Sequence, residues 1–163
     1  MDNETVINRT SNDFLINLNL FYEQVESWAT ASGLVVSRSP VSLHEEAYDA
    51  YTAYSLKVFT NQNKLLATFI PIGANIIGAN ARVDLSGNFD LLTIVHLNSG
   101  GPRIRSTLRA DGIDAKNGTR PLYKGVTDAG WYWIESKKLA RAYKIDKTLF
   151  FELLSLVSGH EFT

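Results

Sequence analysis

A chain of 163 residues, 45% apolar and 20% charged with a net charge of −1, has the composition of one folded domain and is too apolar to stay disordered. It contains no cysteine, which excludes disulfide scaffolds, cysteine nucleophiles and thiolate metal sites. No stretch approaches the roughly 18 apolar residues of a membrane span, and Met1–Asn12 is polar without a signal-peptide core, so a cytoplasmic protein with no membrane partner is expected.

Charge is unevenly spread. Residues 1–33 hold five acidic and one basic side chain, whereas residues 98–125 hold six basic and two acidic ones. The basic segment is also the one richest in glycine.

In chain order, residues 1–10 read as a loose tail on a single domain spanning 1–163. Asn12–Ala31 reads as a helix: Phe14, Leu18, Phe21, Val25 and Trp28 recur at helical spacing as one apolar stripe. Ser11 or Asn12 can cap its first turn, and Gly33 stands where a left-handed C-cap belongs. A strand begins at Leu34, with Pro40 interrupting it or marking a sheet edge. The polar patch His44–Asp49 lacks the paired histidines of a zinc helix and reads as a solvated turn.

Tyr51–Thr60 and Leu65–Ile72 read as a hairpin about Asn61–Lys64, Pro71 being placed at an end or edge because it donates no ladder hydrogen bond. Gly73-Ala-Asn recurs as Gly78-Ala-Asn. The spacing matches half of a phosphate loop, but the Lys and Ser/Thr that would follow are missing, so backbone bends with φ > 0 explain the glycines better. Arg82–Leu85 and Phe89–Leu97 form the next hairpin about Ser86-Gly87-Asn88, and the stretch Lys64–Leu97 is the centre of the expected sheet.

Asn98–Gly125 reads as a long loop in which only Ile104–Leu108 has strand character. Gly130–Ile134 resumes the sheet, with Trp131 and Trp133 on one face and Tyr132 on the other. Ser136–Tyr143 reads as a helical turn or two, and Asp146 caps a final helix ended by Gly159. Short connections imply antiparallel pairing, so the fold class is α+β: one antiparallel sheet of about five or six strands flanked by an N-terminal and a C-terminal helix.

No catalytic motif is complete and no cofactor or metal site is indicated. The function expected is therefore a small, non-enzymatic interaction module that binds another protein. Its contact surface is the basic loop 98–125, with Arg103, Arg105, Arg109, Arg120 and Lys124 as binding residues. Adding Trp131 and Trp133 to that loop gives an alternative, a single-stranded nucleic-acid binder in which cations neutralise phosphates and aromatic faces stack on bases. A second alternative is a metal-dependent phosphodiester hydrolase using Asp84 and Asp90 as hard oxygen ligands, although the nearby Glu-x-Lys such a site would want is missing. His96, near the end of an apolar strand, reads as a satisfied strand histidine rather than a base.

Overall fold

The computed structural model describes residues 3–76, 78–105, 119–136 and 138–162, with side chains from Ser11 onward and Arg105 excepted. Helix α1 (Asn3–Ala31) is followed by strands β1 (Val35–Leu43), β2 (Tyr51–Phe59), β3 (Leu65–Gly73), β4 (Ala81–Ser86) and β5 (Leu91–Leu97). Then come β6 (Arg103–Arg105), β7 (Thr119–Pro121), β8 (Gly130–Ile134), β9 (Ala142–Lys144) and helix α2 (Lys147–Ser158). The architecture is α+β, with the two helices flanking one large antiparallel sheet. That sheet has seven strands in the order β1-β2-β3-β4-β5-β8-β9, rather than the five or six expected, while β6 and β7 form a separate two-stranded ribbon.

The extra strand is β9. Its residues fall where a helical turn was expected, and a turn does open the segment: the N–H groups of Leu139 and Ala140 donate to the Ser136 hydroxyl and carbonyl at 3.0 and 2.8 Å. Ala140 then adopts φ of 49°, a left-handed value that stops helix propagation, and Ala142–Lys144 pair with Tyr132–Ile134 instead. The second correction is at the N-terminus. The backbone is helical from Asn3, so α1 absorbs most of the stretch read as a tail, each added residue gaining a backbone hydrogen bond once the helix is nucleated.

The α1 stripe forms the core as its spacing predicts. Phe14, Leu18, Phe21 and Val25 are buried, Trp28 is partly buried, and Tyr22 and Ala29 widen the face. Phe21 stacks on Trp131 with ring centroids 5.3 Å apart and meets Phe69 edge-on at 5.6 Å. Helix α2 adds Phe150, Leu153, Leu154 and Val157. The Asp146 carboxylate accepts from the Leu149 N–H at 2.8 Å, and Gly159 ends the helix at φ of 71°, as their positions require.

The prolines obey the absence of their N–H. Pro40 lies in the edge strand β1. Pro71 lies near the end of β3, opposite Val83, where the ladder to β2 has stopped and a bulge follows. Of the repeated glycines, Gly78 has φ of 79°. Gly73 has an ordinary φ and serves a different need: a Cβ there would collide with the Glu45 carboxylate.

That carboxylate corrects the reading of His44–Asp49 as merely solvated. Glu45 accepts the Ala74 N–H at 3.1 Å, the Asn75 N–H at 2.8 Å and the Tyr51 hydroxyl, and so fastens the β1–β2 connection onto the bend after β3. Burial, reinforced by the hydrogen bond to Glu45, pushes the Tyr51 phenol well above its ordinary pKa.

Along β4, Ala81, Val83 and Leu85 point into the core between sheet and helices, and Arg82 and Asp84 project to the opposite face. A second, smaller core lies on that opposite face. Val95, Leu97, Tyr132 and Ala142 are covered there by Tyr123 and Val126, which follow the ribbon.

Candidate functional site

Residues 98–129 leave the sheet at Leu97 and return to it at Gly130, its direct neighbour in the β5–β8 ladder. Within that excursion β6 and β7 pair Arg103 with Pro121, Ile104 with Arg120 and Arg105 with Thr119, making a short arm where a mostly unstructured loop was expected. The base of the arm is fixed by backbone hydrogen bonds. Gly100 N–H donates to Thr127 O at 2.8 Å, Leu122 N–H to Pro102 O at 2.9 Å, and Lys124 N–H to Ala140 O at 2.8 Å. The Tyr132 hydroxyl donates to Asp128 O at 2.7 Å and accepts from the Thr127 N–H. Asp128 in turn pairs with Lys144 at 2.5 Å, a bond that holds its carboxyl below the usual range.

Arg103, Arg120 and Lys124 are exposed on this arm and its root. Arg103 is steadied by Thr119, donating from Nε to its hydroxyl at 2.9 Å and from Nη2 to its carbonyl at 2.7 Å. The described residues 98–105 and 119–125 contain no carboxylate. The ion pairs among the described residues join Arg38 to Glu26, Arg82 to Asp84 and Lys144 to Asp128, so none neutralises the cations of the arm. Lys124 also bridges to Arg141, which brings one more exposed cation beside them. Arg109 lies outside the described residues.

Trp131 does not join this surface, and Trp133 reaches it only in the lining of a cleft at the arm's root. They face the helices, whereas the arm's root covers the other side of the sheet through Tyr123 and Val126. Trp131 is 7% exposed, lies against Phe21, and donates its indole N–H to the Asn17 carbonyl at 3.3 Å. It offers no free face to a base. Trp133 is half-buried and stacks on Tyr143 at 5.6 Å.

Asp84 and Asp90 also have prior engagements. Both Asp84 oxygens accept from the Arg82 guanidinium, at 2.8 and 3.0 Å, a bidentate pair that satisfies a carboxylate only 6% exposed. Asp90 accepts the N–H of Leu91 at 2.8 Å. Among the described residues no cluster of three or more His, Asp or Glu could hold a metal ion.

Sequence reasoning missed a cleft of 860 Å³ at the root of the arm, on the sheet face away from the helices. Arg82, Thr93 and Val95 contribute to its lining from the sheet, Asn75 from the bend that Glu45 fastens, and Leu122 and Tyr123 from the strand leaving the arm. Burial raises the pKa of the Tyr123 phenol, which keeps it a neutral donor. These residues lie in four separate segments, so no spacing in the sequence could signal them. Comparison with known proteins brings no further identification: no family model matches the chain, and neither a curated protein nor a solved structure matches it. Among the described residues no helix is long and apolar enough to cross a membrane.

Proposed function

We propose that this chain is a non-enzymatic binding module that engages an acidic protein through the β6–β7 arm and the cleft at its root. The observation that carries this reading is the exposed positive charge on the arm's described residues. Among the described residues Arg103, Arg120 and Lys124 stand exposed with no carboxylate paired to them, beside a cleft large enough to take side chains of a partner. Basic groups so arranged raise the association rate of an acidic surface and fix its orientation more than they add affinity. The hydrogen-bonded root lets the arm present them without rearranging the sheet.

The test is fluorescence anisotropy of a labelled polyglutamate peptide titrated with the protein, at low and at physiological salt. Binding is expected to weaken with salt, and the triple variant R103A/R120A/K124A should bind more weakly with a flatter salt dependence, since fewer charges are left to screen. Its melting temperature should barely change, because exposed charges contribute little to folding. Absence of polyglutamate binding would refute the reading. Tighter binding of an oligothymidylate of equal charge would replace it with the nucleic-acid alternative.

A further inference from the structure

Helix α1 leaves one stripe of its surface uncovered. Asp13, Ile16, Leu20 and Glu23 follow one another at spacings of three, four and three residues, so they form one row along the helix, and all four are exposed. At 1.5 Å per residue the row is about 15 Å long. Ile16 and Leu20 are 59% and 54% exposed, an apolar pair left to water between two carboxylates. Crevices flank the row. Leu20 and Glu23 line one of 540 Å³, Asp13 and Ile16 line another of 440 Å³, and Asn17 and His96 line both.

The row selects a cationic occupant. Glu23 accepts from the Asn19 carboxamide at 3.3 Å, and neither Glu23 nor Asp13 is ion-paired among the described residues. No lysine or arginine lines either crevice. Burial lowers the His96 pKa, so the imidazole between them is uncharged near neutral pH and does not repel a cation.

The chain itself carries a matching surface. Residues 1–33 have a net charge of −4 and residues 98–125 one of +4. On the arm and its root Arg103, Arg120 and Lys124 are exposed, and Lys124 bridges to the exposed Arg141. Exposed apolar side chains stand among these cations too: Pro121 follows Arg120, and Leu139, 57% exposed, precedes Arg141 by two residues. Both surfaces thus combine apolar groups with charge of one sign, and the signs are opposite. Within one molecule their described parts stay apart. Helix α1 packs on one face of the sheet, the root of the arm covers the other, and no ion pair among the described residues joins them.

We propose that the arm of one copy docks on the α1 row of another, its cations against Asp13 and Glu23 and its apolar side chains over Ile16 and Leu20. The acidic partner is then a second copy of this chain, an inference that rests on the reading of the arm given above. Because the two patches differ, the contact is head-to-tail: assembly continues from copy to copy, or closes when two copies exchange arms.

The experiment is sedimentation velocity of the full chain at rising concentration, at low and at physiological salt. The average mass should rise with concentration, and less so at the higher salt, where the facing charges are screened. Two charge-reversed variants identify the surfaces, R103E/R120E/K124E on the arm and D13K/E23K on α1. Each alone should self-associate about a hundredfold more weakly, because like charges then face each other. Mixed in equal amounts, the two should form an equimolar complex, since the unaltered α1 row of one meets the unaltered arm of the other. Mixing would not restore association lost to a damaged fold. Should either variant fail to fold, the other is compared with I16S/L20S, which removes the apolar contact at unchanged charge and should also weaken association. A chain that stays monomeric at every concentration, self-association unaltered by either reversal, or no complex on mixing would overturn the proposal. A monomer that still binds polyglutamate strikes this inference alone and leaves a different acidic protein as the partner; loss of both strikes the reading of the arm as well.

Discussion

Replacing Glu45 with alanine tests how much of the fold depends on one side chain that the sequence presents as an ordinary surface acid. The substitution removes three hydrogen bonds to a carboxylate. They are not equal. The Asn75 N–H is exposed and can turn to water, and the Tyr51 hydroxyl is only partly covered. Ala74 is 4% exposed, so its N–H would lose its partner without gaining water. An orphaned buried donor costs about 1–3 kcal/mol, and the two wetter bonds add about half of that again, giving about 2–4 kcal/mol in all. With a urea m-value of about 2 kcal/mol/M, a usual size for a domain like this, the midpoint should fall by about 1–2 M. Glu46→Ala is the control: its side chain is exposed, and its midpoint should move by less than about 0.5 kcal/mol in equivalent stability. Glu45→Gln retains one acceptor and should fall between the two. If Glu45→Ala and Glu46→Ala unfold at the same urea concentration, the carboxylate does not hold the bend after β3, and its role in shaping the cleft through Asn75 falls with it.

Two further outcomes follow from the packing. Phe21→Ala removes a buried ring that touches both Trp131 and Phe69 and should cost about 3–5 kcal/mol in a denaturant melt; a loss below about 1 kcal/mol would mean that α1 does not pack its stripe on the sheet. His96 binds its proton less readily folded than unfolded, so it adds stability above its unfolded pKa of about 6.5 and loses it as the pH falls below that value toward the folded pKa. Between pH 7.5 and 5 the wild type should therefore lose more thermal stability than His96→Gln, and an equal loss in both would place the acid sensitivity elsewhere.

Periodicity made the layers legible and left the site obscure. The α1 stripe, the hairpin from Tyr51 to Ile72 and both caps of α2 are local patterns, and local patterns survive into the fold because packing uses the same faces. Strand β9 was not legible because three residues, Ala142-Tyr-Lys144, are too short to show alternation, and only the left-handed turn at Ala140 turns them into the sheet. Alternation did put Trp131 and Trp133 on one face. Which face the helices would take is decided by the whole sheet, and that choice separated Trp131 from the basic arm. Glu45 was invisible for a related reason: a carboxylate that binds backbone N–H groups looks, in sequence, like any polar residue in a turn.

The direct pairing of Leu97 with Gly130 means that the main sheet is already continuous without the chain between them. Everything from Asn98 to Ala129 is an embellishment on a meander whose two ends lie side by side, so its length and composition can drift in evolution with little consequence for strand order. Among the described residues Tyr123 and Val126, which shield Val95 and Tyr132 from water, and Thr127 and Asp128, which bond to Tyr132 and Lys144, restrain that drift. Selection for a new partner could thus rewrite the outer part of the excursion while leaving the seven strands and two helices untouched, and the same junction offers a place to graft a foreign recognition loop.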